Sequence, residues 1–150
     1  MNDLRKKLDS ELIVAAKSKD ALRLSVLRML KSAIKYKEID IKPKELLDAD
    51  IIQVISTMVK QRNDSITAYN GANRKDLADK ESAEIKILNE FLPPQLSKDE
   101  IRAMLMEVVA KIGAKGAGDA GKVMKEAMPL FTGKAQGKEV NEIVREILSN

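Results

Sequence analysis

The sequence contains no cysteine and no histidine. Without cysteine there is no disulfide, no thiolate zinc site and no sulfur nucleophile, and without histidine the usual general base is missing. Aromatic residues are nearly absent as well: Tyr36, Tyr69, Phe91 and Phe131 are the full set. Base stacking along a single strand of nucleic acid therefore has little to work with. Long apolar runs are also lacking. The longest uncharged stretches, such as IIQVISTMV from Ile51 to Val59, fall far below the ~20 residues that cross a bilayer. No membrane partner is expected. The opening MNDLRKKLDSEL mixes charges and has no apolar run before a small-residue cleavage site, so the expected location is cytoplasmic.

What the chain does have is charge and helical periodicity. Lys and Arg number 27 against 23 Asp and Glu, a net charge of +4. The excess sits towards both ends. Residues 1–42 hold 11 basic and 6 acidic side chains, giving +5, and residues 113–138 hold 5 and 2, giving +3. At 150 residues the chain can bury roughly 70% of its unfolded surface.

Apolar residues recur at steps of three and four in Leu4, Leu8, Leu12 and Ala15, and again in Leu22, Val26, Met29, Leu30, Ala33 and Ile34. These are the first two helices. After DIKP, Asp48 has the chemistry of an N-cap for a third helix running to about Tyr69, and NGAN (residues 70–73) is the turn that stops it. A fourth helix covers about Arg74 to Phe91. LPPQLSKDEI is a boundary: two prolines end one helix, and Ser97 with Glu100 forms a capping box for the next. Three shorter helices follow, at about Lys98–Ile112, Asp119–Met128 and Lys138–Leu148. Six of the seven glycines lie after residue 112, where short helices need sharp turns. The expected fold is all-α, with an N-terminal helical hairpin region (1–92) followed by a compact three-helix module (93–150). There is no strand signal and no internal repeat.

Two features stand out against this pattern. On the third helix Arg62 falls in the middle of the apolar face of Ile51, Ile55, Met58, Val59 and Ile66, where a lone guanidinium is costly. The fourth helix carries Glu81 and Glu84 in its own stripe. Folding the two helices back about NGAN sets Arg62 against Glu81, so a largely buried Arg62–Glu81 pair is expected. It reads either as an ion pair that fixes hairpin register or as a polar pocket. The second feature is basic. Arg28, Lys31 and Lys35 share a face of the second helix. Near the C-terminus Lys122 and Lys125 lie in the first turns of one helix, while Lys134 and Lys138 bracket the turn FTGKAQGKEVN. Glycines let backbone amides approach a ligand, and a helix amino end adds its dipole. Such a group suits a phosphate backbone, although the P-loop spacing is missing.

The stretches RLSVLRMLKSAI, QRNDSI, EFLPPQLS, GKVMKEAMP and GKAQGKEVN, in this order, resemble the YqeY family and cover nearly the whole chain. The last part also resembles the tail domain of GatB, a subunit of the tRNA-dependent amidotransferases, in Gly121, Val123 and Met124, then Gly133, Lys134 and Ala135, then Val140 and Asn141. The resemblance implies a helical module similar to a clamp on the outer elbow of tRNA. Carried onto this chain, it makes Lys122, Lys125, Gly133, Lys134, Gly137 and Lys138 the candidate tRNA contacts, with amidotransferase or aminoacyl-tRNA synthetase components as possible associates. Gln136 stands where family members often have Asp, a better helix cap. The resemblance also implies carbon-nitrogen ligase activity with glutamine as amido donor, in a complex. No glutaminase nucleophile, ATP site or metal site has a recognisable motif here, so neither catalytic residues nor a cofactor are expected. A protein-interaction scaffold docking through Met104, Met106 and Met128 is the other open class.

Overall fold

A computed structural model describes residues 3–149. Among them there are seven α-helices, one short 3-10 turn and no strand, so the protein is all-α. The described residues fall into two compact units, to Leu92 and from Pro93.

The first unit holds α1 (Asp3–Ser18), α2 (Ala21–Asp40), α3 (Asp48–Gly71) and α4 (Lys75–Asn89). Its core takes one stripe from each helix: Leu8 and Ala15, then Val26, Leu27, Leu30 and Ile34, then Ile51 and Ile55, then Leu88. Each large aliphatic side chain so buried contributes about 1.5–3 kcal/mol. Helix ends carry their own chemistry. The Asp20 carboxylate caps α2 by accepting from the Arg23 N–H at 3.1 Å. Asp48 is not the cap of α3. Leu47 holds that position, and Asp50 reaches back to accept from the Leu47 N–H at 2.9 Å. The Asp48 carboxylate instead accepts from the N–H of Leu4 at 3.3 Å, supplying an acceptor to the open first turn of α1 from 44 residues away.

Charges tie these helices together. Arg5 meets Glu38 through two bonds of 2.9 and 3.0 Å. Arg23 on α2 reaches Glu11 of α1 and Glu90 at the end of α4, both at 2.7 Å. Lys7 donates to the Glu90 carbonyl at 2.6 Å and lies 4.8 Å from the centre of the Phe91 ring. Two cations thus sit at the carboxyl end of α4, where the helix dipole is negative.

The second unit holds α5 (Lys98–Ile112), the 3-10 turn (Ala117–Asp119), α6 (Ala120–Phe131) and α7 (Gly137–Leu148). The Ser97 hydroxyl accepts from the Glu100 N–H at 3.1 Å and starts α5. Gly113, at φ +68°, ends it in the left-handed conformation that glycine adopts without strain. Ile101 and Leu105, Val123 and Ala127, and Val140 and Val144 enclose Phe131, which is fully buried. α6 runs three residues past its expected end at Met128, straight through Pro129. Proline removes one helical N–H, but continuing the helix through the exposed Pro129 carries Phe131 into the core.

Candidate functional site

The candidate cations near the C-terminus lie on two elements, α6 and the turn into α7. Val123, Ala127 and Phe131 form its buried face, which leaves Lys122 and Lys125 on the opposite, exposed face. About 14 Å of helix lies between Lys122 and the end of α6, at 1.5 Å per residue. Lys134 and Lys138 stand beyond that end, both exposed, on the turn into α7. Lys122 and Lys125 thus lie along the exposed face of α6, and Lys134 and Lys138 lie past its carboxyl end.

The amino end of α6 is partly occupied. Asp119 precedes it, accepts from the Lys115 N–H at 2.9 Å and has its other carboxylate oxygen 3.9 Å from the Lys122 ammonium. A carboxylate at a helix amino end satisfies the dipole that would otherwise attract a ligand phosphate. Among the described residues, Lys125, Lys134 and Lys138 have no carboxylate within ion-pair distance. These three are the unpaired cations of the candidate set.

The two glycines differ in what the backbone asks of them. Gly133 is buried at φ +75°. Its carbonyl accepts from the Gln95 side-chain amide at 2.7 Å, and the neighbouring Lys134 carbonyl accepts from the Leu96 N–H at 2.9 Å. The turn's backbone is thereby tied to the segment that leads into α5, while its lysine side chains are exposed. The N–H groups of Lys134 and Ala135 donate back to the Phe131 carbonyl at 2.8 and 3.0 Å, closing α6. Gly137 opens α7, and a Cβ there would meet only the Met128 methyl at an ordinary 3.6 Å. Gln136 occupies the cap position without a side-chain bond, as an amide poorer than Asp at this task.

Arg62 meets Glu84 and not Glu81. Its Nε lies 3.1 Å from a Glu84 carboxylate oxygen, and the two side chains are 11% and 9% exposed. One guanidinium nitrogen also donates to the Met58 carbonyl at 3.2 Å, and another lies 3.9 Å from the Met29 sulfur. The contact to Glu84 is through a single nitrogen. The register differs because α3 continues to Gly71 and α4 starts at Lys75, which centres the hairpin on Asn73, itself in the left-handed region at φ +57°. Moving the centre from the middle of NGAN to Asn73 shifts opposite positions by three residues, one turn of α4. Through these contacts Arg62 links α3, α4 and α2. Among the described residues no cluster of three acidic side chains could hold a metal ion.

Over residues 5–148 the sequence matches the family described as Yqey-like protein. The chain belongs to the YqeY family. Its relatives include "Altered inheritance of mitochondria protein 41, mitochondrial" of Candida glabrata, 35% identical over 108 residues, or 70% of this chain and 59% of the relative. The protein of the same name from Kluyveromyces lactis is 36% identical over 107 residues, 70% of this chain and 58% of the relative. That of Saccharomyces cerevisiae is 30% identical over 123 residues, 81% of this chain and 66% of the relative. The chain thus spans about three fifths of the length of the first two.

These names overturn the cytoplasmic expectation: the relatives are mitochondrial proteins by name. The expectation rested on the missing apolar run, which tests only for a secretory signal. Mitochondrial addresses are amphipathic and Arg-rich and need no such run. Among the described residues no helix is long and apolar enough to cross a membrane.

Proposed function

We propose that the unit from Pro93 onward holds a polyanion, with tRNA as the ligand class, and that the protein positions its ligand without performing chemistry on it. The observation that carries this reading is the set of cations left unpaired: Lys125 on α6, Lys134 on the turn and Lys138 in the first turn of α7 are exposed and lack carboxylate partners among the described residues. Lys122 adds to them, moderated by Asp119. Such cations contact phosphates and fix register without reading sequence. The resemblance of this part to the GatB tail supports tRNA as the particular polyanion, and amidotransferase or synthetase components as the proteins that would supply the chemistry.

Filter binding of bulk tRNA across a salt series tests the proposal. Affinity should fall steeply with salt, and the Lys125→Ala, Lys134→Ala, Lys138→Ala triple variant should lower the log–log slope by about 1 per lysine removed. Absence of binding at low salt, or an unchanged slope in the triple variant, would remove the tRNA reading.

A further inference from the structure

The Arg62 guanidinium has one poorly matched partner. Its Nε is taken by Glu84 and its Nη1 by the Met58 carbonyl, but among the described residues the partner of Nη2 is the Met29 sulfur, at 3.9 Å. A thioether is a weak acceptor, whereas a charged donor gains most from a strong one. The arginine side chain is only 11% exposed, and a polar group so placed is sensitive to the quality of its partners.

Met29 itself is open to solvent. It is 40% exposed on α2 and belongs to neither core cluster. Two other methionines frame its situation. Met58 is 8% exposed and packed in the core of the first unit, while Met106 is 54% exposed with no hydrogen-bond donor on its sulfur among the described residues. Met29 combines access to solvent with a cation held against its sulfur.

We infer that Met29 is a site of reversible oxidation by peroxide, and that Arg62 holds the oxygen so gained. Hydrogen peroxide transfers one oxygen atom to the thioether: a sulfur electron pair forms the S–O bond, the O–O bond breaks, sulfur is oxidised to the sulfoxide and water leaves. An oxygen bonded to a sulfur 3.9 Å from Nη2 comes within ordinary hydrogen-bond distance of that nitrogen, and the unbranched side chain can turn to present it. The new acceptor is strong but uncharged, so the Glu84 carboxylate keeps its place on Nε. Methionine oxidation commonly disrupts a core by setting a polar group into apolar packing. At Met29 the sign reverses: the sulfoxide ties α2 more firmly to α3. Methionine sulfoxide reductases restore the thioether. The inference stands independently of the lysines on α6 and α7.

A graded dose of hydrogen peroxide on the full chain tests it, with peptide mass spectrometry to read each methionine and urea denaturation to read stability. The chain has no tryptophan, and its two tyrosines, Tyr36 and Tyr69, both lie in the first unit, so tyrosine fluorescence follows that unit. Met29 should gain oxygen before Met58. At a dose that leaves Met58 intact, the urea midpoint of the wild type should rise, with the unfolding equilibrium constant falling by about tenfold. Reductase treatment should return the midpoint to its starting value. Met29→Leu, a replacement of similar volume at an exposed position, should keep the fold and show no such rise. Arg62→Lys, which keeps the charge and loses the planar fork, should also lack it. Any of four results would overturn the inference: Met58 oxidised as readily as Met29, a wild-type midpoint unchanged or lowered at that dose, the same rise in Met29→Leu, or the rise retained in Arg62→Lys.

Discussion

The two units use the same kinds of charged residue for different ends. In residues 3–92 the interhelical contacts are ionic at several points: Arg5 with Glu38, Arg23 with Glu11 and Glu90, Lys31 with Asp9, and Arg62 with Glu84. In residues 93–149 the one ion pair that joins two helices is Arg102 with Glu146, among the described residues. Packing around Phe131 holds that unit together, and most of its lysines face solvent unpaired. A count of charges along the sequence treats the two regions alike, both being basic. The difference lies in which cations already have partners: among the described residues Lys125, Lys134 and Lys138 of the second unit have none.

If the second unit rests on packing, its largest single sensitivity is Phe131. Phe131→Ala should cost about 3–5 kcal/mol, because the ring is fully buried and its removal leaves a cavity. Amide hydrogen exchange should place the loss in residues 93–149, with protection in α1–α4 nearly unchanged. Equal loss of protection in both units would contradict the division drawn here.

The corresponding test in the first unit is its buried pair. Glu84→Ala should cost about 3 kcal/mol, since it strands the Arg62 guanidinium at a site where the two side chains are 11% and 9% exposed. Urea denaturation measures it. Glu81→Gln is the control and should shift stability by less than about 0.5 kcal/mol. Replacing the pair together, Arg62→Met with Glu84→Leu, should recover most of the loss, because a buried ion pair is weak evidence for net stabilisation even where breaking it is costly. A large effect at Glu81 would restore the register expected from NGAN.

These residues also mark where the sequence was legible. Local chemistry was readable: the Ser97–Glu100 cap and the bounds of α5 follow from side chains within one turn of each other, and the apolar stripes of α1 to α7 follow from periodicity. Register was not. The partner of Arg62 depends on the conformation of Asn73 and on how far α3 continues, and a one-turn error results from a small shift in the hairpin's centre. Asp48 was read as a local cap because capping is usually local, yet its acceptor serves a helix 44 residues away. The end of α6 was misplaced because proline's local cost was weighed without the burial of Phe131 that offsets it. For the candidate site, the lysines could be named from sequence. Their separation along α6, the engagement of Lys122 with Asp119 and the tying of Gly133 to Gln95 are three-dimensional facts.

The smallest expected effect tests whether the surface pairs of the first unit matter at all. Hydrogen bonding to the Arg5 guanidinium holds the Glu38 carboxyl below its ordinary value of 4.5. A carboxylate whose folded value is depressed stabilises the native state above its unfolded value, and that stabilisation is lost as the pH falls through the folded value. Comparing wild type with Glu38→Gln by denaturation at several pH values should therefore show a constant small difference at neutral pH. The difference should begin to shrink below about 4.5 and vanish once both states bind the proton. A difference that persists undiminished in acid would mean that Glu38 acts by packing or through its neutral hydrogen bonds. In that case the Arg5–Glu38 pair would leave the list of ionic ties that sets the first unit apart from the second.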